Sequence, residues 1–233
     1  MDGIRDMRTM FFVGLFIGIS LAICAGESVL AAPIAKGHLI IFASNDPTDH
    51  PLSEEQRNDY VRKVQSILST LTDRARIIKV TVRPDPYPNL ATLEQQDQKF
   101  TALSNWAIRQ KRLNKFDFIH FAVPPMHVNQ FRYIGGLSWV CGVRARSKRF
   151  KVSQPYSISN IETENQDGAP RLNEVTLAAA HEIAHTLGAA HDNQDANIMH
   201  ANMLALTVQG QDTGHYNQLA LDQVSKCLSS KGY

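Results

Sequence analysis

Three histidines and one glutamate lie within eleven residues, in the segment His181-Glu-Ile-Ala-His-Thr-Leu-Gly-Ala-Ala-His191. Residues four apart share one face of a helix, so a helix through this segment would bring His181 and His185 together. Gly188 is typical of a helix end, because glycine adopts the left-handed backbone of a C-cap. The chain can then turn back and present His191 to the same point. The spacing therefore predicts one site built from three imidazoles.

Three neutral imidazoles that leave a fourth position open are typical of catalytic zinc rather than structural zinc. Zinc acidifies its bound water and polarises a carbonyl group. Glu182 sits one step round the helix from His181, where a carboxylate can take a proton from that water and return it to the departing amine. We therefore predict one Zn²⁺ held by His181, His185 and His191, with Glu182 as the general base. The sequence does not indicate a structural Ca²⁺ site.

The alternative interpretation of this segment is an alanine-rich core helix with incidental polar residues. That interpretation would place four ionisable groups beside the core without partners, which is costly. Five positions are fixed within the segment, and a chance match of this kind in a chain this long is on the order of 10⁻⁴.

The pattern His181-Glu-x-x-His-x-x-Gly-x-x-His191 resembles the elongated zinc motif of the metzincin metalloproteases. The resemblance implies that Met199, in Asn197-Ile-Met199, forms the methionine turn beneath the ligands. An ordinary core methionine fits the same position. The cysteine that often precedes the isoleucine of this turn is replaced by Asn197.

The sequence is most similar to the reprolysin (adamalysin) branch of the metzincins. The resemblance implies a structural role for Asp192, directly after His191. It also implies an edge strand that binds extended substrate at Gly136, Leu137, Ser138 and Trp139, and a disulfide between Cys141 and Cys227. Without the resemblance, two cysteines in an exported protein indicate one disulfide, and two buried free thiols are the alternative.

The elements that must position these residues alternate between strands and helices, which predicts a mostly parallel α/β sheet with right-handed crossovers. The region from Ser153 to Arg171 is polar, and we expect a surface loop there. The metzincin resemblance implies a twisted sheet with an antiparallel edge strand, an active-site helix and a small irregular C-terminal subdomain. The predicted strands are 38–43, 76–82, 116–123 and 135–140, and the predicted helices begin near 53, 92, 173 and 216.

The composition and the N-terminal segment limit the class of protein. The chain has 233 residues, is 43% hydrophobic and has a net charge of +2, which favours a globular protein and gives no reason to expect a nucleic-acid partner. Arg5 and Arg8 precede an apolar run at 11–26 with small residues after it, as in a secretory signal. We predict a signal peptide at 1–32 and one metzincin-like catalytic domain at 33–233. Retention of the apolar run as a membrane anchor is the alternative.

The resulting hypothesis is a secreted or exported zinc endopeptidase, extracellular or periplasmic, that acts as a monomer on extended polypeptides. No propeptide is predicted between the signal and the first strand. Two other functions remain open from the sequence. One is a secreted binding protein on a metzincin scaffold, and the other is a zinc hydrolase of a non-protein amide.

Overall fold

The computed structural model describes residues 33–43, 52–87, 96–110, 113, 115–124, 126–128, 131–133, 136–138, 141, 155–161 and 172–233. The predicted signal segment at 1–32 and Trp139 lie outside the described residues. The elements are β1 (Ala35–Ala43), α1 (Glu54–Leu71), β2 (Ala75–Pro84), α2 (Gln96–Arg109), β3 (Phe118–Val123), β4 (Met126–Val128), β5 (Phe131–Tyr133), β6 (Gly136–Ser138), β7 (Tyr156–Asn160), α3 (Leu172–Leu187), α4 (Met203–Val208) and α5 (Gln218–Ser230).

Five of the strands form one sheet in the order β2-β1-β3-β7-β6. Strands β2, β1, β3 and β7 are parallel, and β6 pairs with β7 in the antiparallel direction. The predicted α/β fold with a mostly parallel sheet and an antiparallel edge strand is therefore confirmed. Strands β4 and β5 form a separate antiparallel pair. Among the described residues, no helix combines the length and the apolar character needed to cross a membrane.

The sheet separates two clusters of buried side chains, because alternate residues of a strand point to opposite faces. In β1, Leu39 and Ile41 join the larger cluster, which includes residues of α1, α3, α4 and α5. Ile40 and Phe42 join the smaller cluster, which includes residues of α2. Both faces of the central strands are thus covered, as parallel sheets require.

Helix α1 begins where the sequence predicts. Ser53 and Gln56 form a reciprocal capping box, in which each side chain accepts a hydrogen bond from the backbone of the other residue. Helix α3 begins within one residue of its predicted start. Helix α5 begins two residues later than predicted, with Asn217 as its N-cap. The short helix α4 is not predicted from the sequence.

The expectation of a surface loop throughout 153–171 is wrong, because β7 lies inside the sheet between β3 and β6. All five residues of β7 are buried. Its polarity has a specific cause: Ser157 and Ser159 hydrogen-bond to the two ring nitrogens of His120 on β3, at 2.8 and 3.0 Å. The serines therefore satisfy a buried histidine rather than facing water.

The burial of His120 makes the free energy of unfolding depend on pH. Burial lowers its pKa from 6.5 to about 3, so the folded chain keeps it neutral where the unfolded chain protonates it. The free energy of unfolding should fall as the pH drops below 6.5, by on the order of 2 kcal/mol at pH 5 from this residue. Urea unfolding at pH 7 and pH 5 should show a smaller fall for His120→Gln than for the unsubstituted chain. An equal fall in the two proteins would contradict this assignment.

Candidate metal centre and active site

Helix α3 carries His181, Glu182 and His185, and it is the most enclosed helix of the fold. Every residue from Val175 to Leu187 is buried. Three consecutive alanines, Ala178 to Ala180, keep the helix narrow, so that the sheet and the neighbouring helices can approach it closely. Burial on all sides fixes the helix and restricts the side chains at its C-terminal end.

Helix α3 ends in a Schellman turn at Gly188. The N–H of Gly188 donates to the His185 carbonyl at 2.9 Å, and the N–H of Ala189 donates to the Ala184 carbonyl at 3.0 Å. Gly188 has φ +119°, in the region that favours glycine. A Cβ atom at this position would also overlap the Cys227 side chain on α5. Gly188 is therefore required both by the backbone and by the packing of α5.

The turn brings His191 back to the two histidines of α3. The three Nε2 atoms of His181, His185 and His191 lie 3.0 to 3.2 Å from one another. Nitrogen ligands about 2.0–2.1 Å from a tetrahedral zinc ion are about 3.3–3.4 Å apart, so these residues fit such an ion. His181 and His185 are buried and His191 is exposed, which leaves one side of the cluster open. The predicted cluster of three imidazoles is thus present.

Backbone carbonyls orient the two histidines of the helix. His181 Nδ1 donates to the Ile198 carbonyl at 2.5 Å, and His185 Nδ1 donates to the Ala189 carbonyl at 2.7 Å. A proton on Nδ1 leaves the lone pair of Nε2 facing the shared point. Burial lowers the pKa of His181 to about 3 and that of His185 to about 4. Burial also lowers the pKa of His191. Neutral rings of this kind are the form that binds a metal.

Residues 195–199 form the turn that supplies the Ile198 carbonyl. Met199 is fully buried, and its N–H donates to the Asn197 side chain at 2.7 Å. Asn197 in turn donates to the Asp195 carbonyl at 2.8 Å. Asn197, which stands where the resemblance leads one to expect cysteine, therefore shapes the turn by hydrogen bonds. The sequence does not predict this role of Asn197.

Asp192 connects this turn to α5. Its N–H donates to the Met199 carbonyl at 3.0 Å, and its carboxylate accepts a hydrogen bond from the Asn217 side chain. Asn217 also caps α5 by accepting from the N–H of Ala220 at 3.0 Å. Asp192 thus lies at a junction of the turn and the helix, where a structural role is expected.

The edge strand β6 lies directly against Glu182. A Cβ atom at Gly136 would overlap the Glu182 side chain, so only glycine allows this approach. Burial raises the pKa of Glu182 to about 8, and a hydrogen bond from Ser138 opposes that rise. Gly136 and Ser138, predicted as substrate-binding residues, therefore contact the predicted general base. Leu137 lies in β6 opposite Ile158, and Trp139 lies outside the described residues.

Cys141 and Cys227 form a disulfide, as the sequence predicts. The bond joins the chain just after β6 to α5. Strand β6 contacts Glu182, and α5 contacts Gly188. The disulfide therefore links two elements that lie against helix α3 and its C-terminal turn.

A sequence profile of the reprolysin group, described as metallo-peptidase family M12, matches residues 37–230. The chain belongs to metallo-peptidase family M12. The matched residues include all three histidines of the cluster and the described sheet apart from Ala35 and Lys36 of β1. No curated protein matches the chain in sequence.

Solved structures were also compared with the chain. The chain is similar to archaemetzincin from Methanopyrus kandleri, with 13% identity, a TM-score of 0.55, and coverage of 84% of this chain and 96% of that one. Metalloproteinase-II from Bacteroides fragilis is 16% identical with a TM-score of 0.49, over 84% of this chain and 53% of that one. The likeness to archaemetzincin shows that the two proteins share a fold.

The cluster makes a direct prediction for metal content. The chain should carry zinc, and His185→Ala should weaken zinc binding at least a hundredfold because it removes one of three ligands. His200→Ala is the matched control, since His200 neighbours Met199 but does not belong to the cluster. Atomic spectroscopy of purified protein and competition with a chromogenic chelator would measure both variants. Equal zinc affinity in the His185 variant and the unsubstituted chain would refute the assignment.

Proposed function

We propose that this family M12 protein is a secreted, zinc-dependent endopeptidase with its catalytic domain at 33–233 and a signal peptide at 1–32. The observation that carries the proposal is the convergence of the Nε2 atoms of His181, His185 and His191 within 3.2 Å. The three histidines would hold one zinc ion. When bound, that ion supplies Lewis-acid chemistry, because it polarises a peptide carbonyl and acidifies water.

In this proposal, Glu182 accepts the proton of the attacking water and delivers it to the leaving nitrogen. Burial and a hydrogen bond from Ser138 have opposite effects on its carboxyl group. Ser138 donates a hydrogen bond that favours the charged form, whereas burial favours the neutral form. A cation held by the adjacent histidines would favour the charged form further, and a charged carboxylate is what a general base requires.

The substrate in this proposal is an extended polypeptide that adds to β6. The antiparallel pairing of β6 with β7 uses one edge of β6, and no described strand pairs with its other edge. A peptide bound there by main-chain hydrogen bonds would pass close to Glu182, since Gly136 and Ser138 both contact that residue. Digestion of a random peptide library, followed by mass spectrometry, would test the proposed activity and report its side-chain preference.

Glu182→Gln should abolish peptide hydrolysis, with a loss of at least a hundredfold in kcat, because the amide cannot take up the proton. Zinc content and the free energy of unfolding should stay close to those of the unsubstituted chain. Glu174→Gln, at another glutamate of the same helix, should retain activity. Measurable turnover by the Glu182 variant at the unsubstituted rate would remove this residue from the mechanism.

Gly136→Ala should lower kcat more than it raises KM, because the new methyl group displaces the Glu182 side chain. Zinc content should be unchanged, since Gly136 lies against Glu182 rather than against the ligands. Gly214→Ala is the control: its added Cβ would meet only the Asp212 carboxylate, at 3.4 Å. Full activity in the Gly136 variant would show that the close approach is not needed for catalysis.

A further inference from the structure

Strand β2 presents a long edge of the sheet on the side opposite β6. It pairs with β1 from Ala75 to Pro84, with a bulge at Ile78, and no second described strand pairs with it. An edge strand leaves alternate backbone N–H and C=O groups available to another chain. At ten residues, β2 is the longest strand among those described.

Three large apolar side chains follow one face of this edge. Ile78, Val80 and Val82 are 55%, 40% and 47% exposed, and they occupy alternate positions of the strand. Val80 and Val82 pair with Leu39 and Ile41 of β1, which belong to the larger core cluster. The apolar face of the sheet therefore continues beyond the part that α1 covers.

The same edge is basic. Strand β2 contains Arg76, Lys79 and Arg83 and no acidic residue. Arg76 and Lys79 are exposed, and Arg83 lies over the Trp106 ring at 5.8 Å. Asp85, which follows the strand, is buried in an ion pair with Lys99 and does not offset this charge at the surface.

We propose that the β2 edge binds an extended acidic segment of another polypeptide as an added strand. Main-chain hydrogen bonds would extend the sheet, apolar side chains of the segment would cover Ile78, Val80 and Val82, and its Asp or Glu residues would face Lys79. Opposite charges on directly paired residues stabilise neighbouring strands, and like charges destabilise them.

The charges disfavour a second copy of this chain as the occupant. Antiparallel self-pairing centred on Thr81 would align the two apolar stripes, but it would place Lys79 of each copy opposite Arg83 of the other. A lipid surface is disfavoured for another reason, since hydrocarbon offers no partners to the backbone groups of an edge strand.

The test uses a fluorescent, end-capped heptapeptide that alternates Glu and Val, titrated with the full chain and followed by anisotropy. We expect the peptide to bind, and mass spectrometry would confirm that it stays intact. A peptide with Lys in place of Glu should bind at least fivefold more weakly. The Glu peptide with methylated backbone nitrogens should also bind at least fivefold more weakly, because it cannot donate main-chain hydrogen bonds.

Charge reversal locates the site. Lys79→Glu should weaken binding of the Glu peptide at least fivefold and strengthen binding of the Lys peptide. Lys226→Glu, at an exposed lysine of α5, should leave both affinities unchanged. Val80→Thr should weaken binding, whereas Val208→Thr, at another exposed valine, should not. These readouts do not depend on peptide hydrolysis, so they test the edge separately from the proposed activity.

Several results would overturn the proposal. One is the absence of binding at protein concentrations up to about 1 mM, which would make the affinity weaker than about millimolar. The others are equal binding of the Glu and Lys peptides, and binding that backbone methylation does not weaken. Self-association that Lys79→Glu alters, measured by sedimentation, would assign the edge to a second copy. Sedimentation with phosphatidylserine vesicles that Val80→Thr abolishes would assign it to a membrane surface.

Discussion

Two backbone carbonyls determine which nitrogen of the α3 histidines faces the candidate metal site. The Ile198 and Ala189 carbonyls accept from Nδ1 of His181 and His185, and Nε2 is thereby left to converge with His191. A rotated ring or the other tautomer would separate the three lone pairs. The turn after the helix and the turn at Met199 are therefore as important to the site as the three histidines.

The sequence predicts the cluster of three histidines well because metal-binding chemistry requires particular side chains at particular spacings. His181 and His185 share a helix face, and Gly188 marks the reversal that returns His191. The sequence does not predict that the Ala189 and Ile198 carbonyls accept hydrogen bonds from the histidines. Every residue has a backbone carbonyl, so the residue type does not indicate which carbonyl is used. The C-cap glycine is a partial signal, since a Schellman turn at Gly188 fixes the position of Ala189.

The same holds for the fold: strands with a clear side-chain pattern are predicted, whereas a strand whose pattern depends on tertiary contacts is not. β1 and β3 are predicted because buried parallel strands form continuous apolar runs. β7 is missed because Ser157 and Ser159 make it look like a surface segment, whereas both serines bind the buried His120. The contact of Ser138 with Glu182 is missed for a similar reason, since it joins residues of β6 and α3 that are far apart in the chain.

The disulfide encloses the whole histidine cluster within one covalent ring, because Cys141 and Cys227 are 86 residues apart and all three histidines lie between them. In the chain-entropy account, closing a ring of that size restricts the unfolded chain enough to favour folding by roughly 4–5 kcal/mol. That contribution is comparable to the entire margin by which many domains stay folded, about 5–15 kcal/mol. In a compartment that keeps thiols reduced, the polypeptide would lose this constraint, and the fold that brings the three histidines together would be correspondingly less stable.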